Sequence, residues 1–233
     1  MWLKFVLLTI SILFSVRSFA DQDPEFSGWL AIFHSQRLNN KLGIHLDVQA
    51  RTANEFDYLK NVLVRPGLTY FFSNQINSTL GYAFINSKVK SDVLDINLTE
   101  NRVWEQLVYI QKIKSQSLTH RFRLEQRFIE QGASNVFSQR LRYFLRMLVP
   151  LSEHEGAFKK GGFLGLQNEL FFNLQNKDKI NNHFFDQNRA YGTFGYRFAP
   201  AFDIELGYMN QRVKQKSGGL TNHIIQIAAY TRF

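Results

Sequence analysis

From Ser27 to the C-terminus the chain alternates polar and apolar residues with a period of two, and this limits its fold more than any other feature. In the run LTHRFRLEQRF, Arg121, Arg123, Glu125 and Arg127 share one parity, and Phe122, Leu124 and Phe128 share the other. Arg140, Arg142 and Arg146 alternate with Leu141, Tyr143, Leu145, Met147 and Val149. His45, Asp47, Gln49 and Arg51 alternate with Ile44, Leu46, Val48 and Ala50, and Asp203, Glu205 and Gln211 with Phe202, Ile204, Leu206 and Tyr208. A helix would scatter these charges around its circumference, whereas a strand gathers them on one face.

About eleven such segments follow one another, with cores at 27–37, 42–52, 58–72, 76–87, 100–113, 117–130, 138–149, 162–174, 186–199, 202–213 and 222–233. Their length, about 10 to 14 residues, suits strands that cross a membrane at a tilt. Asn39-Asn40, Ser73-Asn74-Gln75, Lys114-Ser115-Gln116 and Ala199-Pro200-Ala201 read as tight turns. The polar stretches 88–99, 131–137, 175–185 and 214–221 read as longer loops, mostly alternating with the turns. The stretch 150–161 breaks the alternation, because it falls where a short turn belongs. Single-chain bacterial barrels have an even strand count, so the expectation is 12 strands, with 10 as the fallback. Asp21 to Phe26 crossing the lumen is the other way to account for an odd count.

Residues 1–20 read as a signal peptide. Lys4 gives the basic start, Phe5 to Val16 the apolar run, and Ser18-Phe19-Ala20 the small residues before a cut between Ala20 and Asp21. The apolar run is short for a transmembrane anchor, which takes about 20 residues. The mature domain is then 21–233. No later stretch approaches the apolar length of a spanning helix, so an exported chain of this kind enters a membrane only as a closed barrel.

Composition bears on this at three points. The chain holds 23 Phe and 9 Tyr yet is only 45% hydrophobic, which suits two-faced strands. It has no cysteine, which excludes disulfides, thiol nucleophiles and Cys-based zinc sites and fits passage through an oxidising compartment. Its formal charge of +9 becomes 9 − 2 = +7 without Lys4 and Arg17. The excess sits largely as Arg at alternate strand positions beside Glu, not in a basic tail or helix, so nucleic acid is not an expected partner.

A soluble barrel also alternates, with its charges facing water. Three features favour the membrane. The charged faces are Arg- and Glu-rich and Lys-poor, which suits a crowded lumen. Tyr70-Phe71-Phe72, Phe171-Phe172, Phe184-Phe185 and Tyr196-Arg197-Phe198 place aromatics near strand ends, as in interfacial girdles. The chain ends in an alternating strand closed by Phe233, similar to the C-terminal assembly signal of outer-membrane barrels, although Thr231 is less aromatic than that signal prefers. The expected location is the bacterial outer membrane, with its lipids and the barrel assembly machinery as partners.

The motifs ENRVWEQL, HRFRLEQRF, RLRYFLRMLVPL, QNELFFN, FDQNRAYGTFGYRF and ELGYMNQ, in this order from Glu100 to Gln211, resemble those of the bacterial family catalogued as domain of unknown function 2490. The resemblance covers essentially the whole mature chain. It implies an outer-membrane barrel and brings no activity, cofactor or catalytic residue.

The candidate site is the polar face itself: Arg51, Arg65, Glu100, Arg102, Gln106, Arg121, Arg123, Glu125, Arg127, Arg140, Arg142, Arg146, Gln167, Glu169, Gln187, Arg189, Arg197, Asp203 and Glu205. These residues line a lumen in one of two ways. Arg–carboxylate pairs can fill it as structure, or unpaired Arg beside water can make a small passive route or site that prefers anions. A lipid-modifying hydrolase is a different reading and needs a nucleophile beside a His base. The only His near a charged motif is His120, with Ser138 at the start of the next strand, and its parity sets it on the outward face. No G-x-S-x-G motif, His-x-x-x-His pair or Asp-rich calcium loop occurs, and no cofactor or metal is expected. A soluble periplasmic binding barrel is the third reading.

Overall fold

In the computed structural model, residues 23–90, 94–132, 134–152 and 156–233 are described. The expected signal peptide and the cut between Ala20 and Asp21 lie outside them. The described residues form β1 (Glu25–Arg37), β2 (Leu42–Ala53), β3 (Tyr58–Phe71), β4 (Ile76–Val89), β5 (Ile96–Ile113), β6 (Gln116–Gln131), β7 (Ser134–Pro150), β8 (Gly161–Gln175), β9 (Phe185–Ala199), β10 (Phe202–Lys214) and β11 (Gly219–Arg232), with one short helix, α1 (Lys177–Ile180). Each strand pairs with its sequence neighbour, and β1 pairs with β11, which closes the barrel.

Among the described residues the strand count is eleven, which corrects the expected 12 and the fallback of 10. Of the segment Asp21 to Phe26, Asp21 and Gln22 lie outside the described residues, and Glu25 and Phe26 belong to β1 rather than crossing the lumen. Even counts follow from closing a sheet with antiparallel neighbours. An odd count brings the first and last strands together in parallel, and here Glu25–Ser35 runs parallel to Asn222–Arg232. Parallel ladders are slightly weaker per residue, and this seam carries additional ties. Ser27 Oγ donates to Asn222 Oδ1 at 3.0 Å, His34 Nδ1 and Thr231 Oγ1 are 2.8 Å apart, and Phe33 stacks on Tyr230 at 4.7 Å. Phe233 extends the ladder: its N–H donates to Ser35 O at 2.9 Å, and its carbonyl accepts from Arg37 N–H at 2.6 Å.

One end of the barrel carries the links 38–41, 72–75, 114–115, 151–160 and 200–201 together with Phe233; this is the turn end. The other, the loop end, carries the start of β1 and the links 54–57, 90–95, 132–133, 176–184 and 215–218. The loops expected at 88–99, 131–137 and 214–221 are shorter than their polarity suggested. Their residues continue the ladders, as in the pairs Gln131↔Ser134 and Lys214↔Gly219. Polar composition does not mark where a strand's hydrogen bonding stops.

The outward face is apolar. Leu30, Leu68, Leu80, Phe122, Leu166, Phe194, Leu206 and Ile227 are all exposed. Leu124, Leu141, Tyr143 and Leu145 share this parity and are half-exposed. Outward aromatics meet near both ends: Phe128–Phe137 and Phe172–Phe184 towards the loops, Tyr70–Phe72 and Tyr196–Phe198 towards the turns. Every lysine among the described residues lies in a link or close to a strand end. No helix among the described residues is long and apolar enough to cross a membrane, which says nothing of strands.

Candidate functional site

The inward parity carries the charges. Each residue that the sequence assigns to the lumen, from Arg51 to Glu205, lies on the inner face of its strand, and Arg65, Arg123, Glu125, Arg142, Glu169, Asp203 and Glu205 are buried. Strand register sets like charges directly opposite one another, with Arg102 facing Arg127 and Arg123 facing Arg142. Such pairs repel unless a carboxylate lies between them. Glu100 does this for the first pair, accepting from Arg102 Nε at 2.7 Å and Arg127 Nε at 2.6 Å. Glu125 accepts from Arg140 at 2.7 Å and Arg142 at 2.6 Å, with Arg102 at 3.5 Å. Glu169 takes Arg121 and Arg142, each at 2.7 Å. One continuous chain of ion pairs therefore crosses β5 to β8, and Arg140 carries it on to Asp186 of β9 at 3.1 Å.

Beside β3, β4, β5 and β8 the loop-end half of the lumen is filled. Trp104 and Phe171 are fully buried, with Leu63, Ala83 and Ile85 around Trp104. The link 176–184 folds over this end. Asn181 is buried, donates to Asp186 Oδ1 at 2.8 Å and to Lys214 O at 3.0 Å, and accepts from Asn173 Nδ2 at 3.0 Å.

The turn-end half is open in part. On one side Phe158, in the link that is the exception in the sequence pattern, reaches inward. Phe158 is buried edge-on against Phe163 and accepts, through its carbonyl, from Arg197 Nη1 at 3.0 Å. Arg197 and Arg232 both bind Asp203 here, at 2.8 and 2.7 Å. On the other side lies a cavity of about 320 Å³. Its walls bring together Arg51, Arg65, Arg121, Arg123, Arg142, Arg146, Arg189 and Arg232, with Asp47 and Glu169 as the acidic residues. Asp47 is taken up by Arg65 at 2.5 Å, and Arg146 by Glu205 at 2.5 Å. Among the described residues, Arg51 and Arg123 have no carboxylate within ion-pair distance. Arg51 donates to Gln49 Oε1 through Nε (3.1 Å) and Nη2 (2.6 Å), and Arg123 to Gln106 Oε1 through Nε (3.1 Å) and Nη2 (2.7 Å).

His120 and Ser138 are not brought together. His120 is on the outward face, its Nδ1 3.0 Å from Tyr143 Oη, and Ser138 is buried on the inner face, donating to Gln175 O at 3.0 Å. No cluster of three metal-ligating groups occurs among the described residues. At the loop end, outside the barrel wall, Lys90 Nζ donates to Asp57 at 2.8 Å. That hydrogen bond holds the Asp57 carboxyl below its usual range; the pair is fully exposed and adds little to stability.

Sequence reasoning left several lumen residues out of the site. Asp47 had the right parity, and its own strand pattern signalled it. Trp29 and Trp104 also had the right parity but were hidden by the search for charge. Asp186 had the wrong parity: a β-bulge at Phe171/Phe172 turns both Asp186 and Gln187 inward, and a strict period of two cannot show it.

Among known proteins, the family described as "Protein of unknown function (DUF2490)" matches residues 26–222. An uncharacterised protein of Methylorubrum extorquens is 26% identical over 189 residues, covering 80% of this chain and 79% of that protein. No solved structure matches.

Proposed function

We propose that this chain, which belongs to the family described as "Protein of unknown function (DUF2490)", is an outer-membrane β-barrel whose lumen is blocked at the loop end and open as a basic recess at the turn end. The observation that carries the membrane reading is the inversion of faces. Leu206 and Ile227 on the outside are 54% and 48% exposed, while Glu125 and Asp203 on the inside are 1% and 0% exposed. In water this arrangement exposes the apolar face and desolvates the charged one. In a bilayer it satisfies both, because lipid covers the apolar band and the lumen charges pair with one another. The lysines and outward aromatics at both ends fit the two interfaces.

Two measurements test this. Leu206→Arg, near the middle of β10 on the outer face, is expected to lower the unfolding free energy in lipid vesicles by about 2–4 kcal/mol. A change close to zero would mean that this face meets water, and the membrane reading would fall. Purified protein in a planar bilayer is expected to give no steady current, because the ion-pair chain and Trp104 fill the loop-end half. A stable open conductance would overturn the blocked lumen and restore the passive-channel reading.

A further inference from the structure

We propose that the turn-end recess binds a small phosphate-bearing anion, held against a floor made by Trp29, Arg51 and Arg189; this rests on the blocked lumen, which makes the recess a pocket rather than a passage. The floor is built. The Arg51 guanidinium lies 3.7 Å from the Trp29 ring centre and the Arg189 guanidinium 5.0 Å from it. Trp29 is itself buried, so the ring is a fixed surface that orients two planar forks.

The charge on this floor is left over from the pairing that organises the rest of the lumen. Among the described residues, the hydrogen bonds of Arg51 go to the neutral oxygen of Gln49. Arg189 reaches Glu169 only at 3.8 Å, and Glu169 is already shared by Arg121 and Arg142. Behind them Arg123, 2% exposed, has Gln106 in place of a carboxylate. Desolvated cations without anions are costly unless something supplies the charge. His45 Nε2 and Arg121 Nε, both on residues that line the cavity, are buried with no hydrogen-bond partner among the described residues, a further mark of polar groups left over around the recess.

The chemistry selects the class of anion. Several guanidinium groups converging from different strands suit a multiply charged group with oxygens on more than one side, as in a phosphate ester or diphosphate, better than a single flat carboxylate. The cavity volume of about 320 Å³ is ample for such a group together with part of the molecule that carries it. The phosphate can belong to a soluble phosphorylated molecule or to a lipid headgroup reached from the turn-end rim.

The test is calorimetric titration of the refolded full-length barrel with inorganic pyrophosphate, and separately with phosphatidylglycerol in mixed micelles. One-site binding of pyrophosphate is expected, weakened about tenfold or more in both Arg51→Gln and Arg189→Gln. Both variants are expected to fold, because neither substitution strips a carboxylate of its main partner. Arg37→Gln, an exposed charge at the same end, is expected to bind as the parent does. Binding of phosphatidylglycerol with loss in the same variants, but none of pyrophosphate, would assign the phosphate to a lipid. Absence of binding to both, unchanged binding in the two floor variants, or equal binding of succinate would overturn the proposal. Conductance of the same preparation separates the two readings. A silent barrel without binding sinks the pocket alone, and a conducting barrel sinks the blocked lumen.

Discussion

Glu125→Gln is expected to be the most destabilising single-atom-scale change in the lumen, lowering the unfolding free energy by about 3–5 kcal/mol. Glu125 is 1% exposed and serves three cations: Arg140 through two nitrogens at 3.0 and 2.7 Å, Arg142 at 2.6 Å, and Arg102 at 3.5 Å. The amide keeps the shape and one acceptor oxygen but removes the charge, leaving buried guanidinium groups facing one another with less compensation. Arg140 retains Asp186 and Arg142 retains Glu169, so the loss falls short of three independent pairs. Guanidinium unfolding in vesicles, followed by tryptophan fluorescence, reads the effect as a lower midpoint at constant slope. Adding Arg102→Gln to Glu125→Gln is expected to recover part of the loss, because it removes one buried cation while Glu100 keeps Arg127. A Glu125→Gln effect below about 1 kcal/mol would mean that water reaches this layer and that the network is not a dry filling.

The same network shows how far the sequence could be read. Alternation alone assigned the inner face of β6 and β7, because Arg121, Arg123, Glu125 and Arg127, and then Arg140, Arg142 and Arg146, keep one parity with Phe144 as the one apolar residue among them, and it also set their apolar partners outside. The partners of those charges were out of reach, since pairing depends on which residues the register sets side by side. Glu100 lies between Arg102 and Arg127 because β5 and β6 are offset by one particular amount, and no local pattern encodes that offset. The bulges are equally silent. Asp186 enters the lumen through an extra residue opposite Phe171/Phe172, and only the folded ladder reveals it. The parallel β1–β11 closure was excluded in advance by the usual even count. The sequence held its sign all the same: eleven segments, with the first and last pointing the same way. The recess was legible in its chemistry, an excess of Arg over carboxylate, but not in its place. Its location depends on where the buried Trp104, Phe171 and Phe158 stand in the lumen.

Gly81→Val is expected to prevent stable assembly or to cost at least as much as losing a buried Trp, about 3–5 kcal/mol. Trp104 is 0% exposed, and its indole lies in a slot made by two glycines of neighbouring strands, Gly67 on β3 and Gly81 on β4. A Cβ at Gly81 would stand 2.6 Å from the Pro66 carbonyl oxygen and collide with the Trp104 ring. The carbonyl belongs to a paired strand and cannot move far, so the indole would have to leave. It would then lose the Arg123 guanidinium 4.4 Å from its centre and the edge of His45. Trp104→Ala is expected to cost a similar amount by leaving a void. Trp104→Phe is expected to cost less, because Trp104 Nε1 has no hydrogen-bond partner among the described residues and the ring's role is volume. The decisive variant is Gly81→Val with Trp104→Leu, in which the smaller side chain vacates the space that the new methyl groups occupy. Recovery of folding yield and of the unfolding midpoint relative to Gly81→Val alone would establish the slot as a steric fit. If the double variant is as poorly folded as the single, the glycine is needed by the backbone of β4 rather than by the indole.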